Sequence, residues 1–262
     1  MVILAFEGWN DAGEAATQAV EHLIRQSGDT SFAWIDPEDF YDFTTTRPQV
    51  RIEGDQRIID WPQNRFLEYR SDGQLDVVLV RGVEPQLRWR TFTAQVVEVA
   101  TTLQARLVLT LGALLADVPH SRPTPVYGTS YDQQVMEAMS LEPSSYEGPT
   151  GIVGVLLDEC RQRGIPSASL WAAVPSYIAA APSPKAALAL VDRVSRLLGL
   201  HVEVGDLTEA AAAYEQQISQ LVAEDPETER YVRHLEEQHD REQEPEDVDR
   251  LVAEVERFLR DQ

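Results

Sequence analysis

Asp117, His120 and Arg122 are the three residues whose types and spacing are best suited to chemistry. A histidine changes charge near neutral pH, so His120 could act as a general acid or base, or as a metal ligand. A stable zinc site needs three or four ligands, however, and the other four histidines lie in unrelated segments. Because three prolines restrict the backbone around His120, a rigid structural loop or interface is the alternative.

A second group, formed by Arg81, Glu84 and Arg88, directly follows an apolar run. A guanidinium group can bind a carboxylate through two parallel hydrogen bonds, so these arginines could hold an anionic ligand. The alternative is an internal Arg–Glu pair that fixes the loop.

A third group lies in the segment Gly8–Gly13, which reads GWNDAG and joins an apolar run to a helical pattern. Phosphates often bind at such a turn, although the spacing here is not GxGxxG. Asp11 is a natural N-cap with Glu14 as its capping-box partner, and it would occupy the free amides and repel an anion. A structural turn, a polar small-molecule contact and a phosphate site remain open.

The sequence shows no nucleophile and no phosphate-binding motif. The GxSxG pattern is absent, and Cys160 lies within a helical pattern that favours a buried apolar role. Nucleotide sites of the P-loop and kinase types place a lysine on the phosphates, and Lys185 is the only lysine in the chain. We therefore predict no catalytic residue, no metal and no cofactor.

The elements that must position these residues are four polar turns, each after an apolar run. They are Gly8–Gly13, 81–85, Gly112–Pro125 and 146–151. In an open parallel sheet, ligands bind beyond the carboxyl ends of the strands, where such turns gather. If the turns share one rim, the polar side chains in and beside them face a common crevice. These rim candidates are Glu7, Asn10, Asp11, Arg81, Glu84, Arg88, Asp117, His120, Arg122 and Glu147.

Strand and helix patterns alternate along the chain, which predicts a three-layer α/β/α fold with a mostly parallel sheet. Residues 36–75 break this alternation and predict an antiparallel excursion on the main sheet, with short segments at Val50–Ile52 and Arg57–Asp60. Apolar runs predict strands at Val2–Phe6, Phe32–Ile35, Asp76–Val80, Leu107–Leu111 and Ala168–Val174. Helical spacing predicts helices at Ala12–Arg25, Trp89–Leu103, Ser130–Met139, Ile152–Cys160 and Ala186–Leu198.

The pattern changes after Leu200, where an acidic segment begins. Residues 206–262 carry 18 acidic and 6 basic residues, against 26 and 16 in residues 1–205. We therefore predict an α/β core domain over residues 1–205 and an acidic helical segment over residues 206–262. Its helices are predicted at Leu207–Val222, Glu227–Gln238 and Asp247–Leu259, and the last carries an apolar stripe that needs a core or a partner chain.

Charge and composition exclude several classes of function. The net charge of −22 argues against nucleic-acid binding, which requires a basic face, and disfavours anionic membranes. No apolar run approaches the roughly 20 residues of a membrane span. With a single cysteine and no recognisable export signal, we expect a cytoplasmic location.

The motifs GWNDAG, RGVEP, LGALLADVPHSRP and YEGPTGIVG, in this order, resemble one known family. The chain is similar to the bacterial, actinobacterial-type branch of the proteasome assembly chaperone family, which is named after the second eukaryotic assembly chaperone. The resemblance runs from about Val2 to about Leu200, and the acidic helices are similar to the tail of that branch. It implies an α/β/α core similar to nucleoside phosphorylases and members that self-associate.

The resemblance implies function through a surface and a protein partner, and it carries over no catalytic residue. We therefore expect a self-associating, chaperone-like protein, and we favour a non-enzymatic function over an enzymatic one. Its expected partners are itself, with a trimer as the first expectation, and proteasome-like subunits or other proteins. One alternative is a hydrolase or phosphorylase-like enzyme acting on a nucleoside-like molecule, with His120 as acid or base. Some members of the family have been labelled as ATP-grasp or carboxylate–amine ligase enzymes. An ATP-dependent carboxylate–amine ligase is therefore a second alternative.

Overall fold

The computed structural model describes residues 1–28, 30–70, 76–178 and 181–243. Three short 3-10 turns lie at Ala12–Glu14, Pro37–Asp39 and Ser176–Ile178. The strands are β1 (Val2–Glu7), β2 (Ser31–Ile35), β3 (Gln49–Glu53), β4 (Gln56–Asp60), β5 (Asn64–Arg70), β6 (Asp76–Val83), β7 (Val108–Ala116), β8 (Val126–Thr129) and β9 (Ser167–Pro175). The helices are α1 (Ala15–Ser27), α2 (Trp89–Thr102), α3 (Gln133–Met139), α4 (Ile152–Gln162), α5 (Pro184–Leu198), α6 (Gly205–Glu224) and α7 (Pro226–Gln243).

Seven strands form the main sheet in the order β2-β5-β6-β1-β7-β9-β8. The four central strands β6, β1, β7 and β9 are parallel, whereas β2, β5 and β8 pair antiparallel with their neighbours. Helices α1 and α5 cover one face, and α2 and α4 cover the other. The predicted three-layer, mostly parallel α/β/α fold is confirmed.

Strand β1 shows why the central strands read as continuous apolar runs. Ile3 and Ala5 pack into the core on the α1 and α5 side, whereas Leu4 and Phe6 pack on the α2 and α4 side. Because side chains alternate between two covered faces, both sets of positions in a central strand are mostly apolar.

The excursion between β2 and β6 differs in part from its prediction. Strand β5 joins the main sheet antiparallel between β2 and β6, as the sequence predicts. Strands β3 and β4 instead form a separate two-stranded hairpin, closed by Gly54 at φ +60°. Glycine at the first central turn position with positive φ is typical of a type II′ hairpin turn, whose twist matches that of the strands.

Two predicted boundaries near β7 are wrong. The segment Gly112–Pro125 is not one turn, because Gly112–Ala116 continue β7 beside β9 and only the residues after Ala116 form a loop. The short edge strand β8, which the sequence analysis did not identify, follows this loop. Helix α3 begins at Gln133 rather than at Ser130, since the Asp132 carboxylate accepts the first free amides.

The acidic segment returns to the core. Helix α6 packs on α5, and α7 turns back to pack on α6. Between them lies a small apolar cluster that also contacts Tyr177 and Ile178 and consists of Tyr214, Ile218, Val222 and Val232. The helix predicted at Asp247–Leu259 lies outside the described residues, and the domain division at residue 205 stays a prediction.

Candidate functional site

The carboxyl ends of the parallel strands form one rim of the sheet. Glu7 ends β1, Val83 ends β6, Ala116 ends β7 and Pro175 ends β9. All of the predicted rim candidates except Glu147 lie at these strand ends or in the segments that directly follow them, so the sheet topology places those nine at one edge of the sheet. The contacts of these side chains, however, divide them into separate groups.

Glu84 is the centre of the first group. Its Oε1 accepts hydrogen bonds from Asn10 Nδ2 at 2.7 Å and from the Ile152 backbone N–H at 2.8 Å. Its Oε2 accepts the Trp9 backbone N–H at 3.3 Å. Since Ile152 is the first residue of α4, the carboxylate also neutralises the positive end of that helix dipole. Glu84 therefore ties the loop after β1, the loop after β6 and the start of α4 together.

Two glycines permit this close packing around Glu84. A Cβ on Gly151 would lie 2.1 Å from Asn10 Oδ1, and Asn10 itself is fully buried. Gly8 has a φ of +127°, which L side chains rarely adopt, and its missing Cβ would lie 3.1 Å from that of Glu84. Glycine is needed at positions 8 and 151 because the packing around Asn10 and Glu84 leaves no space for a side chain there.

Arg81 is the centre of a second group on the α1 side. Its Nη2 lies 2.6 Å from Glu7 Oε1, and its Nε lies 3.2 Å from Glu21 Oε2 on α1. The internal pair between Arg81 and Glu84 that the sequence suggested is therefore wrong. Arg81 and Glu84 are separated by three residues, but they lie on opposite sides of the strand end and find different partners. The Arg81 group borders a cleft of about 430 Å³ that is lined by Glu7, Gly8, Asp11, Glu14, Thr17, Gln18, Glu21 and Arg81.

Asp11 caps α1, although not through a capping box. Its Oδ1 accepts the backbone N–H of Ala16 at 2.7 Å and that of Thr17 at 3.3 Å, and its Oδ2 accepts the Thr17 hydroxyl. Burial raises the pKa of Asp11, while the hydrogen bonds from Thr17 and Ala16 oppose that shift. The prediction that Glu14 is the capping-box partner of Asp11 is wrong, because Glu14 adopts a left-handed φ of 53° and its side chain makes no capping hydrogen bond.

His120 is the centre of a third group, beneath the acidic helices. The Tyr177 hydroxyl accepts the His120 backbone N–H at 2.8 Å and lies 2.8 Å from Nδ1. His120 Nε2 lies 3.0 Å from Ser219 Oγ, whose proton goes to the Glu215 carbonyl. A neutral ring with its proton on Nε2 satisfies all these contacts, because Nε2 then donates to Ser219 Oγ and Tyr177 donates to Nδ1.

The surroundings of His120 agree with a neutral ring. The side chain is 4% exposed. Burial lowers the pKa of His120 below its ordinary value of 6.5, and the charge of Lys185 lowers it further, against the opposing effect of Glu215 and Glu236. The single lysine is itself engaged, because Lys185 Nζ donates to the Glu215 carboxylate and to the His120 carbonyl.

Arg122 and Asp117 also bind the acidic helices. Arg122 Nε and Nη2 each lie 2.7 Å from an oxygen of Asp240 on α7, which is a bidentate pair. Asp117 Oδ1 accepts the Ser176 hydroxyl at 2.8 Å and the Tyr231 hydroxyl at 2.9 Å. The loop predicted as the best candidate for chemistry is thus the surface on which α6 and α7 dock.

The remaining two candidates lie apart from these groups. Arg88, in a left-handed conformation before α2, pairs with Asp39 at 2.9 Å. Glu147 lies in the exposed segment before α4. The ten candidates therefore do not converge on one set of reactive groups, and whether any of them contacts a ligand stays a prediction.

The described residues offer neither an arranged set of metal ligands nor a reactive thiol. Among those residues, no cluster of three or more His, Cys, Asp or Glu side chains is arranged to hold a metal ion. Cys160 is fully buried, as predicted, and burial raises its pKa to about 11. A thiol with that pKa is almost wholly protonated near neutral pH and is a poor nucleophile.

Comparison with known proteins identifies the family of the chain. A model of the PAC2 family matches residues 5–222. The chain belongs to the PAC2 family. The family predicted from the four turns is confirmed, since solved structures similar to the chain include a PAC2 family protein and a proteasome-assembly chaperone homologue. No curated protein gives a significant match.

Three solved structures resemble this PAC2 family protein over most of its length. A PAC2 family protein from Streptomyces avermitilis is 47% identical with a TM-score of 0.84, and the match covers 88% of this chain and 98% of that one. A proteasome-assembly chaperone homologue from Mycobacterium tuberculosis is 44% identical with a TM-score of 0.79, covering 88% and 99%. An archaeal homologue of proteasome-assembly chaperone from Pyrococcus furiosus shares the fold. It is 20% identical with a TM-score of 0.62, and the match covers 91% of this chain and 94% of that one.

Sequence reasoning missed the residues of this PAC2 family protein that meet the rim from elsewhere. Tyr177 was not among the predicted rim candidates, and Lys185 was considered only as a candidate for phosphate binding. Both follow β9, so their position after a parallel strand was a usable signal. Ser219, Glu236 and Asp240 carried no local signal, because nothing in a helical pattern says which face meets the sheet edge.

Proposed function

We propose that this PAC2 family protein is an assembly-chaperone-like protein that acts by binding other proteins. Its proposed partners are proteasome subunits or their assembly intermediates, and a second copy of itself, with a trimer as the first expectation. The similarity to the Mycobacterium tuberculosis proteasome-assembly chaperone homologue, 44% identical over 88% of this chain, supports the proteasome link. None of the described helices is both long and apolar enough to cross a membrane. The cytoplasm stays the predicted location.

The observation that carries this proposal is the way the rim presents Trp9. Glu84 accepts the Trp9 backbone N–H and the Asn10 amide, while Asn10 O accepts the Ala113 N–H of β7 at 2.8 Å. The indole is nevertheless 64% exposed. A large aromatic side chain on a rigid backbone loses little entropy on binding, and tryptophan is enriched among residues that dominate interface energies. The rim therefore suits docking of a protein surface.

Binding of Trp9→Ala to purified proteasome α and β subunits tests this proposal. We expect the variant to bind at least about tenfold more weakly than the unmodified chain, since tryptophan anchors often contribute 2 kcal/mol or more, where about 1.4 kcal/mol is tenfold. The matched control is Trp34→Ala on the edge strand β2, because that indole is 58% exposed, close to the 64% of Trp9. Biolayer interferometry gives the dissociation constants.

Two results would overturn the proposal. Unmodified protein that captures neither subunit type would remove the proteasome link. If Trp9→Ala and Trp34→Ala weaken the binding of proteasome subunits equally, the rim is not the docking surface.

The enzyme alternatives make a different prediction about small molecules. An enzyme acting on a nucleoside-like molecule would be stabilised in a thermal-shift screen by nucleosides, nucleotides or phosphate, and Arg81→Ala would abolish the shift. An ATP-dependent ligase would be stabilised by ATP with magnesium. We expect no shift from any of these compounds, because the present partners of Arg81, His120 and Lys185 are side chains and backbone of the protein itself.

A further inference from the structure

The β3–β4 hairpin carries an exposed apolar face. Val50, Ile52 and Ile59 are 53%, 75% and 54% exposed, and these three side chains are here called the hairpin face. Val50 lies directly opposite Ile59 in the ladder, and Ile52 is on the same side of β3 as Val50 because strand side chains alternate. Beside the face, Trp61 is also exposed and packs edge-on against Phe43, with ring centroids 4.8 Å apart.

Nothing in the described part of the chain covers this face. Every hairpin residue from Gln49 to Asp60 is exposed except Ile58, which is half-buried. An isolated two-stranded hairpin is only marginally stable in water and needs a further layer on its apolar side. Three branched aliphatic side chains turned toward solvent on such a hairpin indicate that another surface packs there.

Charge selects a second copy of the chain as the occupant. The whole chain has a net charge of −22, so two copies repel one another over most of their surfaces. Residues 47–61 hold three arginines and three carboxylates and are neutral. Within the hairpin, Arg51 pairs with Glu53 and with Asp60, each at 2.7 Å. The side of the hairpin that carries Val50, Ile52 and Ile59 also holds Arg57, directly opposite Ile52, and no strand carboxylate. Two acidic molecules therefore meet there with less repulsion than over the rest of their surfaces.

We infer that the hairpin face is the self-association surface of this protein, through which two copies pack against each other. This inference rests on the proposed self-association and adds its location. Around a two-fold axis, or close to the three-fold axis of a trimer, the same patch of neighbouring copies meets, so the branched side chains of one copy contact those of the next. The outer edges of β3 and β4, each paired only with the other in this structure, offer further backbone hydrogen bonds.

The test uses the full chain and substitutions that alter charge on the face. Sedimentation velocity over a concentration series gives the dissociation constant of the unmodified protein and of Ile59→Asp. We expect at least about a tenfold weaker association for Ile59→Asp, because two carboxylates then face each other in an apolar contact. The matched control is Leu221→Asp on α6, whose side chain is exposed to the same 54% as Ile59 and lies on another element.

A mixing experiment identifies the occupant. Ile59→Asp and Ile59→Arg are each expected to associate weakly, whereas their equimolar mixture associates as the unmodified protein does, because opposite charges then meet. Association that is unchanged in Ile59→Asp, or a mixture no stronger than its components, overturns the inference while leaving self-association in place.

Two further outcomes separate the inference from the proposed function. An unmodified chain that stays monomeric at every concentration overturns both self-association and its location, and subunit capture through Trp9 is measured independently. If a monomeric chain captures proteasome subunits and Ile59→Asp loses that capture, the hairpin face binds another protein, and the inference of a second copy is wrong.

Discussion

Glu84 shows at the residue scale how one carboxylate can organise a rim without performing a reaction. It accepts three N–H groups that belong to Trp9, Asn10 and Ile152, from two other segments of the chain. Two of these donors, on Asn10 and Ile152, are part of fully buried residues. A buried donor without a partner costs more than the hydrogen bond itself contributes, so the rim is sensitive to this single side chain.

Glu84→Ala is expected to lower the free energy of unfolding by roughly 2–3 kcal/mol, because it leaves the buried amides without an acceptor. Urea denaturation followed by circular dichroism measures the change. Glu84→Gln should cost less, since its carbonyl oxygen keeps one acceptor. The control Glu147→Ala, on an exposed carboxylate, should stay within about 0.5 kcal/mol of the unmodified chain. Equal effects at both positions would contradict the role given to Glu84.

His120 provides a pH-dependent prediction at the same scale. Its pKa is lowered in the folded chain, first by burial and then by Lys185, so the unfolded chain binds the proton more readily. Stability from His120 is therefore complete above the ordinary pKa of 6.5 and is lost as the pH falls below that value.

The contribution of His120 is measured as a difference between variants. In His120→Gln, we expect the slope of unfolding free energy between about pH 7 and about pH 5 to be shallower than in the unmodified chain. The exposed His201 is replaced in the same way, by His201→Gln, as the control for removing one histidine. A slope that is the same in all three proteins would show that His120 titrates alike in the folded and unfolded states.

At the scale of elements, the first turn of α6 places Leu207 in the main core, whereas the rest of α6, together with α7, is held to the sheet edge by a small apolar cluster and by polar contacts around it. Ile218 and Val222 on α6 meet Val232 on α7 and Tyr177 below β9. The surrounding contacts include the bidentate pair between Arg122 and Asp240. A cluster of this size is smaller than the main core, so these helices open at a lower free energy than the sheet.

Ile218→Ala tests this difference in local stability. Removing a buried isoleucine side chain costs roughly 2–4 kcal/mol, and the cost falls on the docking of α6 and α7. Hydrogen exchange should therefore accelerate in residues 226–243, whereas amides of β1 and β7 keep their protection. Leu221→Ala, an exposed neighbour on the same helix, is the control. Faster exchange throughout the sheet would mean that the helices and the core unfold as one unit.

At the scale of the whole molecule, charge governs how copies approach one another. The net charge of −22 gives a repulsion that acts beyond the contact surface. Salt screens such repulsion over about 10 Å at about 0.1 M and over about 3 Å at about 1 M. An apolar contact at the neutral hairpin face is not weakened by that screening.

We therefore expect self-association of the full chain to strengthen at least about threefold between about 0.1 M and about 1 M sodium chloride. Sedimentation velocity at both salt concentrations provides the dissociation constants. Weaker association at high salt would contradict this expectation, because it would show that ion pairs rather than apolar contact join the copies.

The fold was largely predictable from the sequence, and the candidate site was predictable only in position. Strands such as β1 and helices such as α5 follow from apolar runs and helical spacing, which are local properties. Their order along the chain predicts a parallel sheet and hence a rim. The short edge strand β8 was missed because four residues between loops carry too little pattern.

The sequence by itself determined the family, the α/β/α layers and the rim on which the polar turns gather. The tertiary structure alone decided the partners of those polar residues: Glu84 binds Asn10 across 74 residues, and His120 contacts Ser219 across 99. The physical reason is that periodicity depends on neighbours a few positions apart, whereas such pairings depend on strand register and on which helix face turns inward. His120 could be identified from its chemistry, but only packing shows that α6 covers it.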